Sequence, residues 1–331
     1  MNPARIAAAA AAISLCSAPA TADGPAVAPS PNGAFLGAYV NPSGRHQQPR
    51  AAFSTAIHEL EAQMRSASGV DRRLALHLHF YGWRTIVDVP NDPSIADDFA
   101  NGRTPVITWT CGDSLSAIAS GRDDGDVIAA ARALGSLPKP VMLRFFHEFN
   151  LNLTGGTANG QSRACFDPGD PSKPATFIAA WRHIHDTFAR ERVANVSWIW
   201  NPDAGIRSIE KTDLMAYFPG AAYVDWIGGD FYDRRSAGFA QTAAPFYAMA
   251  HASQPQIPLI VVETGAQAAS GLQPRYFDDI AAELPARFPQ IRGLIYFDAP
   301  GLTPNKWALT PPAVASFAQL AAKPYFRATP P

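Results

Sequence analysis

The sequence has little charge, no cluster of basic residues and no long apolar run. Of its 331 residues, 17% are charged, and the formal net charge is -1. Binding to nucleic acid or to an anionic membrane surface calls for a stripe of Lys and Arg, so neither partner is expected. No apolar stretch reaches the roughly 20 residues that a membrane-spanning helix needs, so no membrane anchor is expected either. These absences favour a globular protein with an uncharged partner.

Cysteine is also scarce, and its positions depend on how the N-terminus is processed. Residues 1–22 combine a single Arg, a short apolar run and the small residues "APATA", which is typical of a cleaved signal peptide. We therefore expect a secreted or periplasmic protein, with a Pro- and Ala-rich linker over residues 23–33. Removal of the peptide leaves Cys111 and Cys165. In an oxidising compartment this pair predicts a disulfide, and two buried free thiols are the alternative.

The remainder of the chain alternates β-branched or aromatic runs with Ala-rich helical patterns. Eight runs read as strands, and helix-sized segments with apolar spacing of 3 to 4 residues lie between them. The predicted strands are 34–40, 74–81, 105–109, 141–148, 195–201, 223–232, 258–264 and 293–298. Eight strands that alternate with helices predict an α/β fold, a (β/α)8 TIM barrel, as a single domain over residues 34–325.

A doubly wound open sheet is the alternative fold. No Gly-rich phosphate loop with the required spacing follows an early strand, which argues against that fold and against a nucleotide cofactor. We expect no cofactor, no metal and a monomeric chain. In barrel enzymes the chemistry lies at the C-terminal ends of the strands, so candidate residues are sought there.

Glutamate is one of the rarer residues in the chain, and two of its seven positions close predicted strands. Glu148 ends the fourth strand and Glu263 ends the seventh, whereas the other five lie in helical patterns or polar loops. Strands 4 and 7 face one another across a barrel of eight, so the two side chains can converge. Two carboxyl groups over a polar cleft are the arrangement of glycoside hydrolysis, in which one donates a proton and the other attacks. A salt bridge at each strand end, for example between Glu148 and Arg144, is the structural alternative.

Aromatic residues gather at the same rim. Neutral sugars present flat C–H faces that stack on aromatic rings, and a cleft lined with such rings is typical of a sugar site. The candidates at or just beyond strand ends are Trp83, Trp109, Trp200, Tyr232 and Phe297.

Two rival functions are compatible with single features of the sequence. The segment "LALHLHFYG" places His77 and His79 on one face of a strand, which is how metal-dependent barrel hydrolases begin a metal site. Strands 5 and 6 supply no further His, so His79 is predicted to line the barrel or to contact sugar instead. The second rival is a barrel that binds carbohydrate without cleaving it, although both acids are present.

Taken together, the motifs resemble glycoside hydrolase family 26, a family of retaining (β/α)8 enzymes best known for β-mannanases. The likeness runs from about Phe35 to Trp307, and its pieces occur in family order. They are "TPVITWTC", "VMLRFFHEFN", "NVSWIWNPD", "YVDWIGGDFYD" and "IPLIVVETGA" for strands 3 to 7.

This resemblance implies roles for individual residues. Glu148 would be the acid/base, Glu263 the nucleophile, and Tyr232 would donate a hydrogen bond to Glu263. Arg144 and His147 would hold Glu148 and contact sugar hydroxyls. Further implied substrate contacts are Asn150, Trp200 and Asn201.

The sequence departs from the mannanase pattern directly after the fourth strand. Typical mannanases of the family continue there with Asn-Gly and a Trp-rich run, whereas "LNLTGG" follows Asn150. The expected substrate is therefore a neutral β-linked polysaccharide. Mannan, mixed-linkage β-glucan, β-1,3-xylan and a bacterial exopolysaccharide all remain open.

Overall fold

A computed structural model describes residues 24–330 except 42, 44–48, 113, 154–164, 168 and 301–306. The predicted signal peptide, residues 1–22, lies outside the described residues. In the part of the chain that is described, no helix is long and apolar enough to cross a membrane.

Eight parallel strands pair in chain order and close into a barrel, with β8 paired to β1, which confirms the predicted (β/α)8 fold. The strands are β1 Phe35–Val40, β2 Leu76–Tyr81, β3 Thr104–Trp109, β4 Val141–Phe145, β5 Val196–Trp200, β6 Trp226–Asp233, β7 Leu259–Ala266 and β8 Ile291–Asp298.

Helices between the strands form the outer layer. In the described residues they are α1 Ala51–Ser68, α2 Pro93–Ala100, α3 Leu115–Ala119, α4 Asp124–Gly135, α5 Lys173–Arg190, α6 Ile206–Lys211, α7 Phe239–Ser253, α8 Gln273–Arg287 and α9 Pro311–Ala322. Local sequence sets their boundaries. Asp92, for instance, caps α2 by accepting a hydrogen bond from the amide of Ser94, and Pro93 supplies the first helical residue.

The alternation of side chains along each strand separates two apolar regions. On β5, Ile199 belongs to the cluster inside the barrel, whereas Trp198 and Trp200 belong to the larger cluster between the barrel and the helices. Because successive strand residues point to opposite faces, a residue's parity decides whether it can reach the barrel interior.

The segment predicted as a linker is partly built into the barrel. Val27 is fully buried in the interior cluster. Its amide donates to Ser197 Oγ at 2.8 Å, and its carbonyl accepts from Trp226 Nε1 at 3.0 Å. This part of residues 24–33 therefore covers the N-terminal end of the barrel and does not behave as a free linker.

The predicted disulfide is confirmed. Cys111, just after β3, is bonded to Cys165, with the Cα atoms 6.1 Å apart. The amide of Leu115 donates to the carbonyl of Cys165 at 2.8 Å, so the segment before α5 is tied to the start of α3.

Candidate active site

Glu148 is placed by a strained turn, not by the end of a strand. β4 ends at Phe145, and both Phe146 and Glu148 have positive φ angles, 48° and 49°. Such angles are costly for residues other than glycine and concentrate at functional sites. Regular alternation along a strand would place Arg144, Phe146 and Glu148 on one face, and the turn breaks that alternation. Phe146 packs outside the barrel against Phe166 at 5.4 Å, and the Glu148 amide donates to the carbonyl of Asn201 at 2.8 Å.

Glu263 reaches the interior through an irregularity in β7. Val261 pairs with Leu294 and Thr264 pairs with Tyr296, so β7 contains one more residue than β8 over this stretch. The extra residue places Glu263 on the inner face directly after Val262, which already points inward. Bulges of this kind redirect a side chain and are frequent next to active sites.

A third carboxyl group lies between these two acids, and sequence reasoning missed it. Asp230 on β6 pairs with Glu263 on β7 and is fully buried. Carboxylate oxygens of Glu148, Asp230 and Glu263 lie within 4.8 Å of one another. Parity could have identified Asp230, since it is two residues before Tyr232 on the same face of the strand.

Arg144 neutralises part of this charge. Its Nη1 donates to Asp230 Oδ2 at 2.8 Å and its Nη2 contacts Glu263 Oε1, while Nε donates to Thr108 Oγ1 at 2.6 Å. The carboxylates outweigh burial and raise the pKa of Arg144, which keeps it cationic. Its guanidinium thus pairs with both Asp230 and Glu263.

The same geometry decides where a proton resides. In the described residues no hydrogen bond connects Arg144 to the Glu148 carboxyl group. Burial, followed by the negative charges of Asp230 and Glu263, raises the pKa of Glu148 well above its usual value. Burial, followed by the charge of Glu263, also raises the pKa of Asp230, but Asp230 accepts from Arg144 and Glu263 receives donors on both oxygens. Glu148 is therefore the member of the cluster best suited to hold a proton.

Four aromatic rings, from β6, β8, β1 and β2, lie beside the carboxyl groups. The hydroxyl of Tyr232 donates to Glu263 Oε2 at 2.6 Å. Phe297 stacks on Tyr39 at 4.6 Å, and Tyr39 meets Phe80 edge-on at 5.1 Å. Phe80, Phe297 and Tyr232 are each partly exposed, so they can face a sugar. Tyr39 and Phe80 were missed, although both have inward parity.

Three predicted sugar contacts must be corrected, because these rings point outward. Trp109 and Trp200 are fully buried between the barrel and the helices. Trp83 stacks on Trp109 at 4.6 Å and is only 7% exposed. All three lie outside the barrel interior, where inward-facing neighbours such as Thr108 reach the site instead.

His79 is a further correction. It shares an outward face with His77, and both rings donate a hydrogen bond to Asp98 on α2, His79 Nε2 at 2.7 Å and His77 Nδ1 at 2.9 Å. Burial lowers the pKa of His79 to about 4. The far nitrogens of both rings lack hydrogen-bond partners in the described structure, and Arg103 lies 3.6 Å from Asp98. The positive charge of Arg103 beside Asp98 disfavours a second cation there, so this group fits a buried hydrogen-bond network better than a metal site.

The remaining predicted substrate contacts, Arg144, His147, Asn150 and Asn201, are buried around the carboxyl groups. Arg144 and His147 are at most 1% exposed, so the structure gives neither a surface for sugar. Asn150 exchanges two hydrogen bonds with the backbone of Asp203, at 3.0 and 2.8 Å, which ties the turn after β4 to the loop after β5. Asn201 is 1% exposed beside Arg144. All four side chains are buried among protein groups, and their contact with sugar stays a prediction.

Comparison with known proteins agrees with this geometry. The model of "Glycosyl hydrolase family 26" matches residues 122–292. Endoglucanase H of Acetivibrio thermocellus is 24% identical over 254 residues, which is 74% of this chain and 27% of that protein. Mannan endo-1,4-beta-mannosidase A and B of Caldalkalibacillus mannanilyticus is 30% identical over 93 residues, 28% of this chain and 16% of that protein. The chain thus spans about a quarter or less of these relatives.

Solved structures show the same fold. GH26C of a Muricauda species has a TM-score of 0.61 and 13% identity, covering 89% of this chain and 86% of its own. A β-mannanase from a symbiotic protist of the termite Reticulitermes speratus, complexed with gluco-manno-oligosaccharide, has a TM-score of 0.58 and 14% identity, with 91% and 95% covered. The family match covers more than half of the sequence, and the chain therefore belongs to glycosyl hydrolase family 26.

Proposed function

We propose that the chain is a retaining, endo-acting β-glycoside hydrolase in which Glu148 is the acid/base and Glu263 the nucleophile. The observation that carries this proposal is the separation of the carboxyl groups, whose nearest oxygens lie within 4.8 Å. Retaining enzymes hold their two carboxyl groups about 5 to 5.5 Å apart, whereas inverting enzymes leave roughly 6.5 to 9.5 Å for a water molecule.

In the first step the Glu263 carboxylate attacks the anomeric carbon and a glycosyl-enzyme ester forms. Arg144 and Tyr232 each bind one oxygen of Glu263, which keeps it ionised and aimed. As the glycosidic bond breaks, Glu148 transfers its proton to the leaving oxygen. The raised pKa of Glu148 keeps that proton on the carboxyl group at a pH at which an ordinary glutamate is ionised.

In the second step Glu148, now a carboxylate, takes a proton from water. The water oxygen attacks the anomeric carbon, the ester bond to Glu263 breaks, and Glu263 leaves as a carboxylate. Each step inverts the anomeric carbon, so the product keeps the configuration of the substrate.

The sugar at the reaction centre is neutral. Three carboxyl groups and one guanidinium surround it, so an acidic sugar placed there would be repelled. The printed names of the relatives, an endoglucanase and a mannan endo-1,4-beta-mannosidase, support cleavage within a β-linked polysaccharide. The absence of a Trp-rich run after Asn150 favours testing glucan, xylan and bacterial exopolysaccharide alongside mannan.

The test is digestion of β-mannan, mixed-linkage β-glucan, β-1,3-xylan and an exopolysaccharide, followed by reducing-end assay and product sizing. We expect oligosaccharides from one of these substrates, with the β-anomer appearing first by NMR. Glu263→Ala should abolish release without loss of the folded circular dichroism spectrum. First appearance of the α-anomer would rule out the double displacement. Binding without cleavage by both proteins would instead identify a carbohydrate-binding barrel.

We also propose that residues 1–22 are removed on export, so that the enzyme acts in the periplasm or the medium. N-terminal sequencing of the exported protein tests this, and a first residue far downstream of residue 23 would contradict it.

A further inference from the structure

An exposed arginine lies on the ring system that holds the nucleophile. Tyr232, which donates to Glu263, stacks on Trp307 at 4.5 Å. The guanidinium carbon of Arg234 lies 5.5 Å from the centre of the Tyr232 ring and 5.2 Å from that of Trp307. Stacking on aromatic faces holds a guanidinium in place while its N–H groups remain directed outward in the plane of the group.

No acid of the described structure pairs with this cation. Arg234 takes part in none of the ion pairs between described residues, and its side chain is exposed. Asp233, the nearest acid in sequence, is buried and accepts the amides of Ala237 and Gly238 at 2.9 Å.

Charge on the neighbouring loops has one sign. The loop after β6, residues 234–238, contains two arginines and no acid, and the loop 267–272 after β7 contains no charge. Within the described residues, the loops 234–238 and 267–272 therefore add positive charge and no acid beside Glu263, although the chain as a whole has a net charge of -1.

We propose that Arg234 binds a carboxylate carried by the polysaccharide, on a sugar next to the neutral one that is cleaved. The proposal rests on the proposed function and makes its substrate more specific: a β-linked backbone with acidic sugars or acidic substituents. A guanidinium fork matches a carboxylate in geometry and in charge, and a charge-assisted pair of this kind is about twice as strong as a neutral hydrogen bond. Arg234 lies beyond Tyr232, so the acidic group avoids the carboxyl cluster around Glu263.

The experiment compares two polymers with one backbone and substituents of similar size, carboxymethylcellulose and hydroxyethylcellulose, by affinity electrophoresis of the full chain. We expect stronger retardation by the carboxymethyl polymer, and a loss of about tenfold in affinity for it in Arg234→Gln. Arg234→Lys should retain part of the preference. Rising NaCl should weaken binding to the acidic polymer only, because salt screens exposed charge pairs.

Arg235→Gln is the matched control, since it removes the same charge from the adjacent exposed residue, which has no aromatic ring beneath it in the described structure. Equal retardation by both polymers, or equal effects of Arg234→Gln and Arg235→Gln, would overturn the proposal. Cleavage of the glycan panel by an enzyme without this charge preference would leave the proposed function intact. Failure to cleave any glycan of the panel, together with failure to bind either polymer, would overturn both the proposed function and the proposed role of Arg234.

Discussion

The phenol of Tyr232 lies 2.6 Å from Glu263 Oε2 and donates to it, which joins the inner face of β6 to the proposed nucleophile on β7. Tyr232→Phe removes this donor and keeps the ring that stacks on Trp307. A hydrogen bond to a charged group contributes about 1.5 to 3 kcal/mol, so kcat should fall by roughly 10- to 150-fold. Steady-state kinetics on the substrate found in the panel measures this effect.

Tyr276→Phe serves as the control for that substitution. Tyr276 shares a hydrogen bond of 2.6 Å with Thr264, the residue after Glu263, but on the outer face of β7. The Tyr276→Phe substitution should lower the melting temperature and leave kcat unchanged. If both variants lose activity equally, the effect arises from general disturbance of β7.

The pH profile depends on the charge of Asp230. Its carboxylate, together with that of Glu263 and with burial, raises the pKa of Glu148. Asp230→Asn removes one of these charges and frees Arg144, so the pKa of Glu148 should fall and the alkaline limb of kcat/KM should move to lower pH. A limb that stays in place or moves upward would show that another group controls it.

Stability should respond to the same group. The pKa of Glu148 is raised in the folded chain above its unfolded value, so its contribution to stability is present below the unfolded pKa and is lost as pH rises through the folded pKa. The glutamine side chain in Glu148→Gln cannot ionise, so this variant does not lose stability in this way as the pH rises. Its melting temperature relative to wild type should therefore increase from pH 5 to pH 9. A constant difference across this range would refute the assignment of the proton to Glu148.

The disulfide offers a further quantity to measure. Cys111 and Cys165 are 54 residues apart, and closing a loop of that length stabilises the fold by about 4 kcal/mol in the chain-entropy description. Dithiothreitol should lower the free energy of unfolding of wild type by roughly this amount in urea titrations. The Cys111→Ala/Cys165→Ala double variant should be insensitive to the reductant, and equal sensitivity would mean that dithiothreitol acts elsewhere.

Strand order and the two glutamates could be predicted because they depend on simple patterns. Eight apolar runs predicted the barrel, and the ends of the fourth and seventh runs led to Glu148 and Glu263. Parity alone would have corrected three other predictions. Trp109, Trp200 and His79 each alternate with an inward-facing residue and so cannot face the cleft.

Other features lie beyond any periodic pattern. The positive φ angle of Phe146 and the extra residue in β7 reverse the parity that a regular strand would have. Both irregularities occur where tertiary contacts outweigh local preference, and they are what bring Glu148 and Glu263 to one side of the same cleft. Only the folded structure shows them.

The contacts of Val27 constrain the order in which the barrel can be completed. Its hydrogen bonds connect it to Ser197 and Trp226, 170 and 199 residues further along the chain. The base of the barrel therefore stays open during synthesis until β6 has emerged, and long-range closure of this kind is slow. A chain that stalls before Trp226 would expose the apolar interior from below, which makes the segment around Val27 one of the last to become protected from proteases.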